Sequence, residues 1–291
     1  MKVTQMETYR TLIHQLENSA RNLNSLYEQA ATGKRINRPS DDPSAISPIL
    51  NSNEQIEKAD RYLETIRSTQ DGLDILDGYL DGAEEIFVRT KELAVTGANS
   101  SLSPEDMQTL ADEVTQLQTE LLDIANAKVD GKYLFSGYAE NTQPFSGDPV
   151  VYNGTSDHKL VEISSGQTTQ TNLTGDELFM APIDIFSVLS DLEAALASGD
   201  VSSVEAQLDS VEQAAEQIRS LRSEMGNINS YLDDVDALTE EIKLQMEERL
   251  SNYEDADLVE VMTDITLAEQ SYEAALNVSA RLSQLTILDY L

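Results

Sequence analysis

Cysteine is absent from this 291-residue chain, and so is tryptophan. Without thiols there can be no disulfide, no thiolate metal site and no cysteine nucleophile. The absence also suits a chain that stays unfolded during export and then meets an oxidising exterior. Aromatic residues make up only 5% of the sequence, so one large, dense core is not expected. Leu, Ile, Val and Ala at regular spacing must supply most of the burial. Positive charge is scarce: 19 Lys and Arg face 53 Asp and Glu, a net charge of −34. A surface this acidic repels phosphate backbones, so nucleic acid is not an expected partner, and it favours solubility. No run of about 18 apolar residues is present, so no membrane insertion is expected. The first residues contain no apolar h-region and no small-residue cleavage site, so no Sec-type signal peptide is expected. On that reading the chain is cytosolic or leaves by a route that cleaves nothing.

What is present is helical periodicity. Ile13, Leu16, Ala20, Leu23, Tyr27 and Ala30 alternate steps of three and four, a heptad seam on a helix. Gly33 is a helix stop, and Pro39 and Pro43 forbid a continuous helix through the stretch "GKRINRPSDDPSAI" (33–46). A second seam runs Ile66, Thr69, Leu73, Leu76, Leu80, Ala83, Phe87. Gly72, Gly78 and Gly82 interrupt it at about 1 kcal/mol each relative to Ala, which implies compensating packing or close approach of another helix. Ser103, Pro104 and Asp106 spell a capping box ahead of the seam Leu110, Val114, Leu117, Leu121, Ile124. From about 130 to 182 helical period gives way to Gly, Thr, Ser and Asn. There Val150–Tyr152 and Leu160–Ile163 read as short strands around an Asn153–Gly154 turn. A long seam follows from Val204 through Leu232 to Met246, and a last one carries Leu258, Val261, Ile265, Ala268, Tyr272, Ala275, Ser279 and Leu282. The expected fold is mainly α: a long antiparallel helical bundle or coiled coil with paired terminal helices and a small β-rich insertion. The expected division is 1–40 (N-terminal helix segment), 41–140 and 183–250 (helical core), 141–182 (insertion) and 251–291 (C-terminal helix segment).

Catalytic constellations are missing. The two histidines, His14 in the first helix and His158 in the turn-rich stretch, have no reason to converge on a metal or a substrate. Asp71, Asp74, Asp77 and Asp81 step at helical spacing, not the alternation of a calcium loop, and read as a solvated helix face. Asp41 and Asp42 read as local partners of Lys34, Arg35 or Arg38, or as caps of the next helix. No phosphate loop, dinucleotide fingerprint or zinc spacing occurs. Neither an enzyme nor a cofactor is expected. Charge is informative instead. Residues 1–40 hold six cations and three acids, and residues 251–291 hold eight acids and one cation. Opposite charge beside apolar stripes favours pairing of the two terminal helices, within or between subunits.

The stretch at 33–46 closely resembles the signature of the flagellin family, which joins a terminal helix to a helical core domain. The resemblance continues in "AVTGANSSLSPEDMQTLADEVTQLQTELLDIAN" (94–126), in "DGKYLFSGY" (130–138) and in "SYEAALNVSARLSQLTILDYL" (271–291). It covers roughly residues 1–140 and 183–291. Flagellin proper has Ala-Ala-Asp-Asp-Ala at the joint. The Arg38–Pro43 version, with "YLFSG" and the terminal "LDYL", is similar to the hook-associated members of the family. The resemblance implies a structural subunit at the junction of flagellar hook and filament, on which flagellin assembles. It implies export by the flagellar type III apparatus without a cleaved signal, and a secreted, extracellular place in the flagellum. The implied partners are copies of itself in a ring, hook-associated protein 1 on the hook side, flagellin on the filament side, and a cytosolic export chaperone. It also implies terminal helices that order on assembly into an inner tube. The implied packing positions are Ile13, Leu16, Leu23, Tyr27, Ile265, Tyr272, Leu282, Leu285 and Leu288. The implied joint positions are Arg35, Arg38, Pro39, Asp41, Asp42 and Pro43. A flagellin-like filament subunit and an intracellular coiled-coil adaptor stand as alternatives.

Overall fold

In a computed structural model the backbone is described for residues 2–99 and 102–288, and side chains for residue 7, residues 9–99 and residues 102–281. Seven helices and three two-stranded antiparallel sheets are present among these residues. The chain divides into two compact units, Met1–Ala59 with Glu241–Leu291, and Asp60–Glu240.

In the first unit, helix α1 (Lys2–Thr32) packs on helix α7 (Leu258–Leu288). Gly33 ends α1 at φ +71°, a left-handed conformation that only glycine adopts freely. The same unit holds the start of α2 (Ile46–Gly97) and the end of α6 (Val201–Glu254). The opposite charges of the two terminal segments thus meet within a single chain. The Tyr27 hydroxyl donates to Glu269 Oε1 at 2.5 Å, and that acceptor pushes the phenol pKa up.

The second unit is built on α2, α6 and α3 (Pro104–Ala125). The capping box of α3 is formed: Ser103 Oγ accepts from the Asp106 amide at 3.2 Å, and Asp106 Oδ2 accepts from the Ser103 amide at 3.2 Å. α2 runs uninterrupted through its three glycines. A Cβ on Gly82 would stand 3.3 Å from Ile124 Cδ1, so α3 does approach closely there, but Gly72 and Gly78 face open space. Those two therefore cost helix stability with no compensating neighbour.

Six short strands follow: β1 (Lys128–Val129), β2 (Lys132–Tyr133), β3 (Phe145–Ser146), β4 (Val151–Tyr152), β5 (Leu160–Ser164) and β6 (Gln167–Gln170). The expected pairing across Asn153–Gly154 is not what forms. β4 pairs with β3, β5 pairs with β6, and β1 with β2. The reason lies in Tyr152, whose hydroxyl donates to the carbonyls of Phe135 and Thr155 at 2.9 and 3.0 Å and so ties β4 inward. The β1–β2 turn is Asp130–Gly131, both at positive φ, the geometry a two-residue hairpin prefers. Helices α4 (Gly175–Phe179) and α5 (Ile185–Ser198) lead into α6. Asp184 caps α5 through the amides of Phe186 and Ser187, and Gly199 ends it at φ +70°.

One contiguous apolar core runs through the second unit, from Ile66 and Leu80 on α2 through Val114 and Leu121 on α3 to Ile218 and Leu232 on α6. The expectation that no large core would form is corrected. Scarce aromatics are concentrated rather than spread. Phe135, Phe145, Phe179 and Phe186, four of five phenylalanines, lie in edge-on, tilted and stacked contacts with ring centroids 5.2–5.7 Å apart. Ile242, expected on the buried seam of α6, is 43% exposed.

Candidate functional site

The stretch between α1 and α2 is a laced joint. The Gly33 carbonyl accepts from the Ala256 amide at 2.9 Å, and the Glu254 carbonyl accepts from the Arg35 amide at 2.7 Å. Lys34 and Asp255 thereby form an antiparallel bridge, so the two connections leading to the terminal helices are sewn to each other. Each cation has a definite task. Lys34 Nζ lies 2.7 Å from Glu254 Oε1. Arg38 Nη2 donates to both oxygens of Glu28 at 3.1 Å. Arg35 Nη2 donates to the Tyr253 carbonyl at 2.8 Å. Beneath them Ile36, Ala45 and Ile49 are buried against Ile46, Leu250 and Tyr253.

The prolines and aspartates shape the path. The Asp41 amide donates to the Arg38 carbonyl at 3.0 Å and the Ala45 amide to the Asp42 carbonyl at 3.2 Å. These are two successive β-turns with Pro39 and Pro43 at the second position, where their fixed φ is pre-set. Asp41 Oδ2 accepts from the amides of Arg38 and Asn37 at 2.8 and 3.1 Å. Asp42 Oδ1 accepts from the Ser44 hydroxyl and amide at 2.6 and 3.0 Å. The Ser44 bonds hold the Asp42 carboxyl below its usual range. Neither aspartate caps α2: Asp41 holds amides upstream of itself and Asp42 holds Ser44, both within the joint. The hydrogen bonds of the three cations go elsewhere, two to glutamates and Arg35 to a carbonyl, while the Arg35 charge also helps to lower the Asp42 pKa.

Ile13, Leu16 and Leu23 are half-buried along α1, Tyr27 is 45% exposed, and on α7 Ile265 is buried and Tyr272 half-buried. All of these but Tyr27 lie toward the shaded side of the α1–α7 pair. The side chains of Leu282, Leu285 and Leu288 lie outside the described residues. Leu258, placed on the seam, is 50% exposed, and the seam reading missed the other apolar side chains that stay exposed on α7. Leu258, Val259 (77%), Met262 (59%) and Leu267, with Thr263 and Thr266, line a shallow open groove. Also missed were Glu254, Leu250 and Tyr253. Nothing in their local sequence links them to residue 35, and a reader would need the fold.

Among the described residues no group of three or more His, Asp or Glu side chains could hold a metal ion, and no helix is long and apolar enough to cross a membrane. His14 Nδ1 stands 3.5 Å from Glu17, and His158 Nε2 stands 3.6 Å from Glu177. The arrangement at the joint positions backbone and helices.

Residues 3–140 match the family model for the bacterial flagellin N-terminal helical region, and residues 208–291 match that for the bacterial flagellin C-terminal helical region. Flagellar hook-associated protein 3 of Escherichia coli strain K12 is 28% identical over 181 residues, covering 62% of this chain and 57% of that protein. The protein of the same name from Salmonella typhimurium is 27% identical over the same shares of both chains. The chain thus spans little more than half the length of these relatives. The structure of a putative flagellar hook-associated protein from Vibrio parahaemolyticus superimposes with a TM-score of 0.69. It covers 74% of this chain and 100% of that one at 23% identity, a likeness of fold.

Proposed function

Because this chain belongs to the flagellin family, we propose that it is a structural, non-enzymatic subunit of the bacterial flagellum, seated at the junction of hook and filament. The observation that carries the reading is the likeness over 181 residues to two proteins named flagellar hook-associated protein 3. The laced joint fits it physically. A subunit that transmits torque between two different assemblies needs terminal helices held in a fixed register with each other, and the bonds between 33–36 and 253–256 tie the two connections that lead to them. In this reading the subunit meets copies of itself in a ring, a hook-associated protein on the hook side and flagellin on the filament side. A cytosolic chaperone holds it before export to the extracellular flagellum. The terminal segments 1–40 and 251–291, with the seam positions Ile13 to Tyr27 and Ile265 to Leu288, carry subunit packing. The core segments 41–140 and 183–250 form an outer layer that bears the insertion 141–182.

Immunogold labelling of isolated flagella tests this. A single band of gold between hook and filament is the expected result. Label along the whole filament would make the chain a filament subunit, and absence of label from sheared flagella would overturn the flagellar placement.

A further inference from the structure

Of all the asparagines in the chain, only Asn153 is followed by glycine. An asparagine carboxamide is open to attack at Cγ by the backbone nitrogen of the next residue. A side chain on that residue crowds the approach, and glycine has none. Asn18, Asn24, Asn51 and Asn229 precede serine, but they lie inside α1, α2 and α6. Helical hydrogen bonds there occupy the nitrogen that would attack. Asn153 lies just past β4, outside any helix or strand, and is exposed. Among the described residues the Gly154 amide donates no hydrogen bond.

The fold fixes this pair of neighbours. A Cβ at 154 would stand 2.3 Å from the Tyr152 hydroxyl oxygen and 2.4 Å from the ring carbon Cζ. Tyr152 is not free to give way, because the same hydroxyl binds the carbonyls of Phe135 and Thr155 and the ring packs on Phe145. The aromatic cluster therefore demands glycine at 154, and the reactive neighbour comes with it. The fold also restrains the reaction. Asn153 Nδ2 donates to Ser146 Oγ at 2.9 Å and to the Val151 carbonyl at 3.2 Å. The carboxamide is thereby laid back along the β3–β4 hairpin, and bringing Cγ onto the Gly154 nitrogen gives up these bonds.

We propose that Asn153–Gly154 is a site of spontaneous deamidation and that Ser146 is the residue that slows it. The Gly154 nitrogen loses its proton and bonds to Cγ of Asn153. The Cγ–Nδ2 bond breaks, Nδ2 leaves as ammonia with that proton, and a succinimide ring is closed. Water then adds to either ring carbonyl and opens the ring to aspartate or to isoaspartate. The new carboxylate only accepts, so both side-chain bonds are lost and a negative charge faces the Val151 carbonyl. Isoaspartate also lengthens the main chain by a methylene ahead of Thr155. The Thr155 carbonyl holds the Tyr152 hydroxyl, and its amide donates to the Ser136 carbonyl at 3.1 Å. The change is one-way, and it loosens β4 from the aromatic cluster. It goes beyond the flagellar reading and does not depend on it.

The full chain, kept folded at mildly alkaline pH, tests this by peptide mass spectrometry, with isoaspartyl methyltransferase to detect the isoaspartate. Residue 153 should convert ahead of every other asparagine, and Asn153→Gln should remove that signal. Ser146→Ala should convert about two to ten times faster than the wild type at an unchanged melting temperature, the change in rate that one neutral hydrogen bond corresponds to. Ser146→Thr, which keeps the hydroxyl, should convert at the wild-type rate. In urea all three chains should convert at one rate, because the Ser146 bond exists only in the folded protein. Another asparagine converting first would overturn the site. Equal rates for the folded wild type and Ser146→Ala, or a difference that persists in urea, would overturn the role of Ser146.

Discussion

Gln217 offers the sharpest test of how the insertion is held. It lies on α6, is only 8% exposed, and binds three backbone groups. Its Nε2 donates to the carbonyls of Leu178 and Ile183 at 2.8 and 3.1 Å, and its Oε1 accepts from the Ile183 amide at 3.0 Å. One amide thus ties the end of α4 to the irregular stretch 180–183 that follows it. Gln217→Leu keeps the volume but leaves two carbonyls and one N–H without partners. At about 1–3 kcal/mol for each of the three unsatisfied buried groups, less about 1–2 kcal/mol gained from burying an apolar side chain, the net loss should be about 1–8 kcal/mol. Gln217→Glu retains an acceptor but turns a carboxylate toward two carbonyls, and it should be at least as damaging at neutral pH. Urea unfolding followed by circular dichroism and tyrosine fluorescence reads the loss. Amide exchange localises it, with residues 178–186 losing protection first. If Gln217→Leu unfolds at the wild-type midpoint with unchanged protection over 178–186, the side chain is not what pins this segment.

Glu140 sits between Lys132 and Lys159, at 2.6 and 2.5 Å, and their hydrogen bonds lower its pKa from 4.5 to about 2. Its contribution to stability is present above the ordinary value and is lost as pH falls from about 4.5 through about 2; an NMR titration should find that low midpoint, and Glu140→Gln should remove the dependence. Arg222 bridges Asp77, Asp81 and Glu84 at 2.7, 2.6 and 3.0 Å, so Arg222→Ala should cost about 1 kcal/mol and lose its effect in high salt, whereas Arg249→Ala should leave the monomer's stability unaltered. A Cβ on Gly97 would meet Leu196 Cδ2 at 2.3 Å, so Gly97→Ala should destabilise by about 1–3 kcal/mol, while Gly72→Ala and Gly78→Ala, facing open space, should stabilise by about 0.5–1 kcal/mol; thermal melts of the three variants separate these signs.

Local rules explain much of what was legible beforehand. The three-four spacing of apolar residues dictates the long helices, because a helix repeats every 3.6 residues and only one face can be shaded. Ser103-Pro104 with Asp106, Gly33 and Gly199 mark helix ends through groups that lie within a few residues of each other, as do the turns at Pro39 and Pro43. The family signature at 33–46 and the charge asymmetry of the two ends were equally readable. Strand pairing was not. Val151–Tyr152 and Leu160–Ser164 each look like half of one hairpin. What decides between partners is Tyr152 reaching Phe135 and Thr155, a contact that exists only once the aromatic cluster has formed. The joint divides in the same way. Its turns follow from its own residues, but its fastening to 253–256 depends on chain segments more than 200 residues away, and so does the company each arginine keeps. A sequence determines an interaction by itself when both partners lie within a turn or two. Beyond that range the closing of the loop must first be offset by many other contacts, and only the assembled tertiary structure says which partners those contacts bring together.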